Sequence, residues 1–206
     1  MSKIILDPTE VLERKTAYAL KELQKDTPLV ALSSPAGVYL ASYSNSQAHQ
    51  KVVELNNFPG ALVILGGVGN QSDLTLLKGE LRRFITAYEQ FVHRKDISGR
   101  LIASTAAAIL RQHFLESPKP LCVRVVIVDP HDPECPFCAL SFNGEEKVSK
   151  NLCMDGEGVH LVAAEVHSVK EMKRFAKRYL KKPPHYLFQS SSFEISKKDK
   201  TKEKKL

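Results

Sequence analysis

Cys135-Pro-Phe-Cys138 is the densest knot of chemistry-bearing residues in this 206-residue chain. A CxxC pair holds two thiols near enough to form a redox couple or half of a tetrahedral zinc site. Cys153, with His131 or His160, offers the remaining ligands. No second CxxC or paired-histidine motif follows, so the usual other half of a zinc site is missing. Buried, inert thiols are the alternative. No cofactor is expected, and Cys135, Cys138 and Cys153 are the metal candidates. Gly66-Gly67-x-Gly69 precedes a helix, as phosphate loops do, but lacks the Gly-Lys-Ser/Thr ending of a P-loop. His49, His93, His113 and His185 fall on expected helices or loops and read as solvated.

Charge says less than its total suggests. The net charge is +7. Residues 170–206 alone hold 13 Lys and Arg against 4 acidic residues, and the rest of the chain is near neutral. Only Phe175, Tyr179 and Tyr186 offer stacking faces there, and the first two suit packing. A solvated basic face and tail is favoured over a nucleic-acid interface. Apolar runs such as 60–67 and 123–128 are too short to span a bilayer. Residues 1–9 lack a signal-peptide layout. The four cysteines are too few for a secreted disulfide framework. Cytoplasmic location is expected, with no membrane partner.

The elements that must position these residues follow from periodicity and turn chemistry. Asp7, Pro8 and Glu10 predict a capped helix over 8–24, with a narrow stripe of Leu12, Ala19, Leu20 and Leu23. Strands are expected at 29–32, 38–42, 52–55 and 61–65, separated by Pro/Gly turns. Leu74, Leu77, Leu81, Phe84, Tyr88 and Phe91 mark a long amphipathic helix. Ser98 caps a second helix over 100–115, whose alanines permit close packing. Strands are expected again at 123–128, 137–142, 146–149 and 159–166. Asn143-Gly144 signals a two-residue hairpin turn. A basic helix over 169–182 and edge strands near 186–188 and 193–195 close the list. Two adjacent helices between strand blocks argue for a layered α/β sandwich.

Three stretches in this order carry a resemblance. They are Thr27-Pro-Leu-Val-Ala-Leu with Gly37-Val-Tyr-Leu-Ala; Gln50-Lys-Val-Val-Glu-Leu with residues 60–67; and His93-Arg-Lys-Asp-Ile-Ser-Gly-Arg-Leu-Ile-Ala. Together they resemble alpha-type subunits of the proteasome core particle, of the actinobacterial kind, from about Asp7 to Gly144. The resemblance implies a four-layer αββα sandwich of the N-terminal-nucleophile hydrolase type, with an extra N-terminal helix. It implies a non-catalytic subunit of a seven-membered outer ring that gates substrate entry. Its partners would be copies of itself, a beta-type subunit and a ring-shaped ATPase.

The resemblance also places two residues. Thr27 aligns with the N-terminal threonine nucleophile of the beta-type relatives, which is activated by a nearby base. Asp26 stands where self-cleaving relatives carry glycine, and Tyr43 where they carry an aspartate. The helix before the first strand is an alpha-type feature as well. Lys51 aligns with the lysine that receives the terminal carboxylate of an ATPase tail. Two alternatives stay open: a threonine hydrolase using Thr27 and Lys51 after cleavage before Thr27, and a non-proteasomal oligomeric binding module on the same fold.

Beyond Gly144 the resemblance thins. One helix and two short strands stand where the family continues with more, so apolar sheet surface is expected to lie uncovered. The chain divides into an N-terminal segment and helix (1–26), a sandwich domain (27–182), and an edge segment with a basic, disordered tail (183–206).

Overall fold

The computed structural model describes residues 7–26, 29–34, 37–42, 51–58, 61–132, 136–149, 152–155, 170–171, 174 and 186–190. Helix α1 (Pro8–Leu23) begins at Asp7, whose carboxylate accepts from the Thr9 N–H at 2.9 Å, with Pro8 at the first helical position. Glu10 does not complete a capping box. It pairs instead with Arg14, one turn on, at 2.5 Å.

Strands β1 (Leu29–Ser34) and β2 (Gly37–Ser42) form a hairpin, as do β3 (Val52–Phe58) and β4 (Ala61–Gly69). Helices α2 (Gln71–Tyr88) and α3 (Gly99–Glu116) follow, then β5 (Val123–Val128), β6 (Phe137–Leu140), β7 (Glu146–Ser149), β8 (Leu152–Asp155) and β9 (Tyr186–Ser190). Two sheets result, with every pairing antiparallel. One has four strands in the order β8-β1-β2-β9, the other five in the order β3-β4-β5-β6-β7. Strand β8 was not foreseen. The expected strand 159–166 lies outside the described residues, as does most of helix 169–182, where residues 170, 171 and 174 are helical.

Strand alternation sorts the core into layers. Leu29, Ala31, Val38 and Leu40 of the four-stranded sheet pack on Ile64, Val68, Val126 and Val128 of the other. The opposite face of the five-stranded sheet presents Val63, Leu65, Val125, Ile127 and Leu140 to α2 and α3. Strand β5 is therefore buried on both faces, which explains its nearly unbroken β-branched run. Helices, then sheet, then sheet make three layers among the described residues. Val30, Tyr39 and Ala41 point to the outer face of the four-stranded sheet, and each is fully buried. This corrects the expectation of bare apolar surface at these three positions, which are closed to solvent.

Helix α1 packs at one end of the sandwich. Ala19 and Leu23 meet Phe114, Cys122 and Phe142, and the two phenylalanine rings lie 5.7 Å apart. The chain reaches Phe142 by a turn different from the one expected. The Gly144 N–H donates to Ser141 O at 2.9 Å, so the turn centres on Phe142 and Asn143. Gly144 follows it at φ 77°.

Candidate functional site

Asp26 ends the turn after α1, and Lys51 immediately precedes β3. The fold brings them together. Lys51 Nζ donates to Asp26 Oδ1 at 2.6 Å, and the Gly69 N–H donates to Asp26 Oδ2 at 2.8 Å. The Gly67 N–H donates in turn to Lys51 O at 2.8 Å. One carboxylate thus ties the end of α1 to the start of β3 and the end of β4. The Lys51 side chain is 4% exposed and that of Asp26 24%. Burial pushes the Lys51 ammonium below the ordinary lysine value, and the hydrogen bond to Asp26 opposes that shift by favouring the charged form.

Gly69 makes this approach possible. Its φ is +115°, and a Cβ there would fall 2.2 Å from Cys122 O. Only glycine combines that backbone with that closeness. Gly66 and Gly67 lie within β4, where added Cβ atoms would meet Leu29 and Leu74. The glycine run therefore serves sheet and helix packing, which is the physical content of its resemblance to a phosphate loop. The start of α2 is fixed beside it: Asp73 Oδ2 accepts from the Cys122 N–H at 2.9 Å, and the Asn70 N–H donates to Cys122 O at 2.8 Å.

The Lys51 side chain is enclosed. Asp26 already supplies it with a carboxylate. For Lys51 to take a partner's carboxylate, or a proton from a hydroxyl, Asp26 must move or share. Thr27 and Tyr43 lie outside the described residues.

Cys138 and Cys153 stand on strands of different sheets. Cys138 sits on β6 opposite Ile127, packs on the helix side of its sheet, and donates from Sγ to Glu146 Oε1 at 3.1 Å. The backbone of Cys153 belongs to β8 in the other sheet, opposite Ala31. Cys135 lies outside the described residues, as do His49, His160 and His185. No group of three or more metal-ligating side chains converges among the described residues. Cys122 is buried, and burial pushes its thiol up to about 11. His93 and His131 are exposed; His113 is half-buried, its Nδ1 3.2 Å from Ser117 Oγ.

Sequence reasoning took Asp26 only as a residue that is not glycine, and missed its bond to Lys51. It also missed Asp129, whose Oδ2 accepts from the Gly99 N–H at 2.8 Å and so fixes the start of α3 beside the Ser98 cap. An Asx-type signal at Asp129-Pro130 was available for it.

No protein-family model matches the chain. Curated relatives do. The proteasome subunit alpha of Thermobifida fusca is 25% identical over 162 residues, which cover 77% of this chain and 64% of that protein. The proteasome subunit alpha of Mycobacterium sp. (strain KMS) is 26% identical over 124 residues, 60% of this chain and 48% of its own length. That of Actinosynnema mirum is 27% identical over 128 residues, 62% of this chain and 47% of its own. The chain thus spans about half to two-thirds of the length of these relatives. The similarity to actinobacterial proteasome alpha subunits that the three motifs suggested is borne out over most of the chain. No helix among the described residues is long and apolar enough to cross a membrane.

Proposed function

We propose that this relative of the proteasome alpha subunits is a non-catalytic, alpha-type building block of a proteasome-like core particle. It forms the outer ring with copies of itself, seven to a ring, and stacks on a beta-type subunit. It gates substrate entry and docks a ring-shaped ATPase. Its setting is the cytoplasm. A helical layer over the outer face of the four-stranded sheet completes the four-layer sandwich, and the burial of Val30, Tyr39 and Ala41 supports that reading.

One observation carries the non-catalytic reading: Asp26 joins α1 to Lys51 and Gly69 just ahead of Thr27. A threonine hydrolase needs the chain cut between Asp26 and Thr27 and needs a base free to take the hydroxyl proton. Here the carboxylate before the threonine holds the lysine that would assist, and α1 is anchored through Ala19 and Leu23. In the docking role, Asp26 acts as an internal stand-in for a tail carboxylate and yields Lys51 when the tail arrives.

Native mass spectrometry of the chain with a beta-type partner tests the proposal. Rings of the chain, alone or stacked on that partner, are expected. A monomer under both conditions refutes it. N-terminal sequencing of the same sample decides the hydrolase alternative: a mature terminus at Thr27 would establish it.

A further inference from the structure

A trough of about 330 Å³ runs along the outer face of α1, bounded on its far side by the segment that follows α3. Val11, Arg14, Lys15 and Tyr18 recur at helical spacing on one wall, and Pro118, Lys119 and Pro120 form the other. It lies toward the N-terminal half of α1, away from the Asp26–Lys51 pair at the helix's other end.

Its chemistry is one-sided. Three cations line it; the carboxylates nearest them, Glu10 on Arg14 and Asp73 and Glu22 toward Lys119, lie outside its lining. Arg14 is held by Glu10. Lys15 Nζ donates to Phe114 O at 2.8 Å and Leu115 O at 3.2 Å, neutral acceptors that leave its charge without a counter-ion. Lys119 Nζ lies over the Tyr18 ring, 5.7 Å from its centre. Neither Lys15 nor Lys119 joins an ion pair among the described residues. The walls offer almost no backbone donors. The α1 amides are spent inside the helix, and Pro118 and Pro120 have none. Strand addition is therefore closed to a visitor, and recognition falls to the cationic side chains. The floor between them is apolar, and Tyr18 keeps 40% of its surface exposed.

We propose that this trough docks an extended acidic segment of a partner protein, one that sets an apolar side chain on Tyr18 and the exposed Pro118 and places flanking carboxylates against Lys15 and Lys119. Bare phosphate chains fit less well, because a single ring already under a lysine gives bases no stacking series.

The test uses the full chain and three fluorescein-labelled probes read by anisotropy. These are the acidic peptide Glu-Asp-Leu-Phe-Asp-Glu, its lysine counterpart Lys-Lys-Leu-Phe-Lys-Lys, and a thymidine oligonucleotide of similar charge. The acidic peptide should bind best and weaken as salt rises from about 50 to about 300 mM. Lys119→Glu, an exposed loop change, should weaken it about tenfold. Tyr18→Ser should weaken it as well, with less change in salt dependence. Far-UV circular dichroism confirms that both variants are folded. Equal binding of the lysine peptide, tighter binding of the oligonucleotide, no saturable binding of the acidic peptide, or unchanged affinity in both variants each overturns the proposal.

Discussion

Asp26→Ala should destabilise the fold by about 3 kcal/mol at neutral pH. Removing one partner of a fully buried ion pair costs roughly 3–5 kcal/mol, because the other charge is left without compensation. Lys51 is 4% exposed, but Asp26 is 24% exposed, so the pair is not fully dry. A discount to about 2 kcal/mol is in order. The Gly69 N–H also loses its acceptor, which adds about 1 kcal/mol. Lys51→Met behaves differently. It keeps the packed volume and removes the charge, while Asp26 stays partly hydrated and still accepts from Gly69; about 1 kcal/mol is expected. The double variant should show a coupling of about 2 kcal/mol between the two positions. The sign of the pH effect follows from Lys51. Burial holds its folded-state pKa below the unfolded value, so the unfolded chain binds more protons between the two, and stability rises with pH across that window. Without Asp26 the depression deepens. The stability deficit of Asp26→Ala should therefore shrink as pH climbs from neutrality toward the ordinary lysine range. Urea unfolding followed by far-UV circular dichroism suits the measurement, since the chain has no tryptophan. A deficit that is absent at pH 7, or identical at pH 7 and well above it, refutes the reasoning.

Three further outcomes are expected. Leu81→Ala, at a fully buried position between α2 and the five-stranded sheet, should cost about 2–5 kcal/mol in the same urea assay, with unchanged secondary structure. Gly144→Ala places a Cβ 2.5 Å from Ala107 O at φ +77°, and a loss of about 1–3 kcal/mol should follow. Cys122, its thiol pushed up to about 11 by burial, should resist iodoacetamide at pH 8 in the folded chain and react once urea unfolds it, as mass spectrometry can read.

Where one physical cause dominates, the sequence is a sufficient guide. Strand β5 lies where the β-branched run lies, because burial on both faces leaves no competing pattern. The start of α3 is legible because Ser98 makes the bond its type suggests. Helix α2 shows how a pattern misleads. Its expected stripe ran through Phe84 and Tyr88 to Phe91, yet the helix ends at Tyr88 and Phe91 is 82% exposed. Two stripes share Leu74, Leu77 and Leu81 and then diverge. The sheet takes the one through Ile85, while Phe84 and Tyr88 stack on each other at 5.3 Å along its margin. Periodicity finds a face but does not choose between two that drift apart within a turn. The cysteines show a simpler limit: spacing in sequence carries no information about which sheet a strand joins. Cys138 and Cys153 are fifteen positions apart, yet their strands belong to different sheets.

Asp26 is the residue whose meaning changes most between sequence and structure. In the sequence it matters only as a departure from glycine, an argument from what self-cleavage lacks. In the structure it has a positive role, because its two oxygens bind the ammonium of Lys51 and the amide of Gly69. The two views join at one physical point. A small residue before Thr27 would take this counter-ion from a buried ammonium, which favours either loss of the Lys51 proton or a carboxylate from outside. The first outcome favours a base, which a hydrolase needs; the second favours a carboxylate brought by a partner. Asp26 suppresses the first and competes with the second. The non-catalytic reading and the docking reading thus depend on the same carboxylate, and Asp26→Ala separates them. If docking is right, a peptide ending in a free carboxylate should restore part of the variant's lost stability, and its amidated counterpart should not. If both peptides fail to stabilise the variant, Lys51 is a structural lysine, and the docking role proposed for it falls.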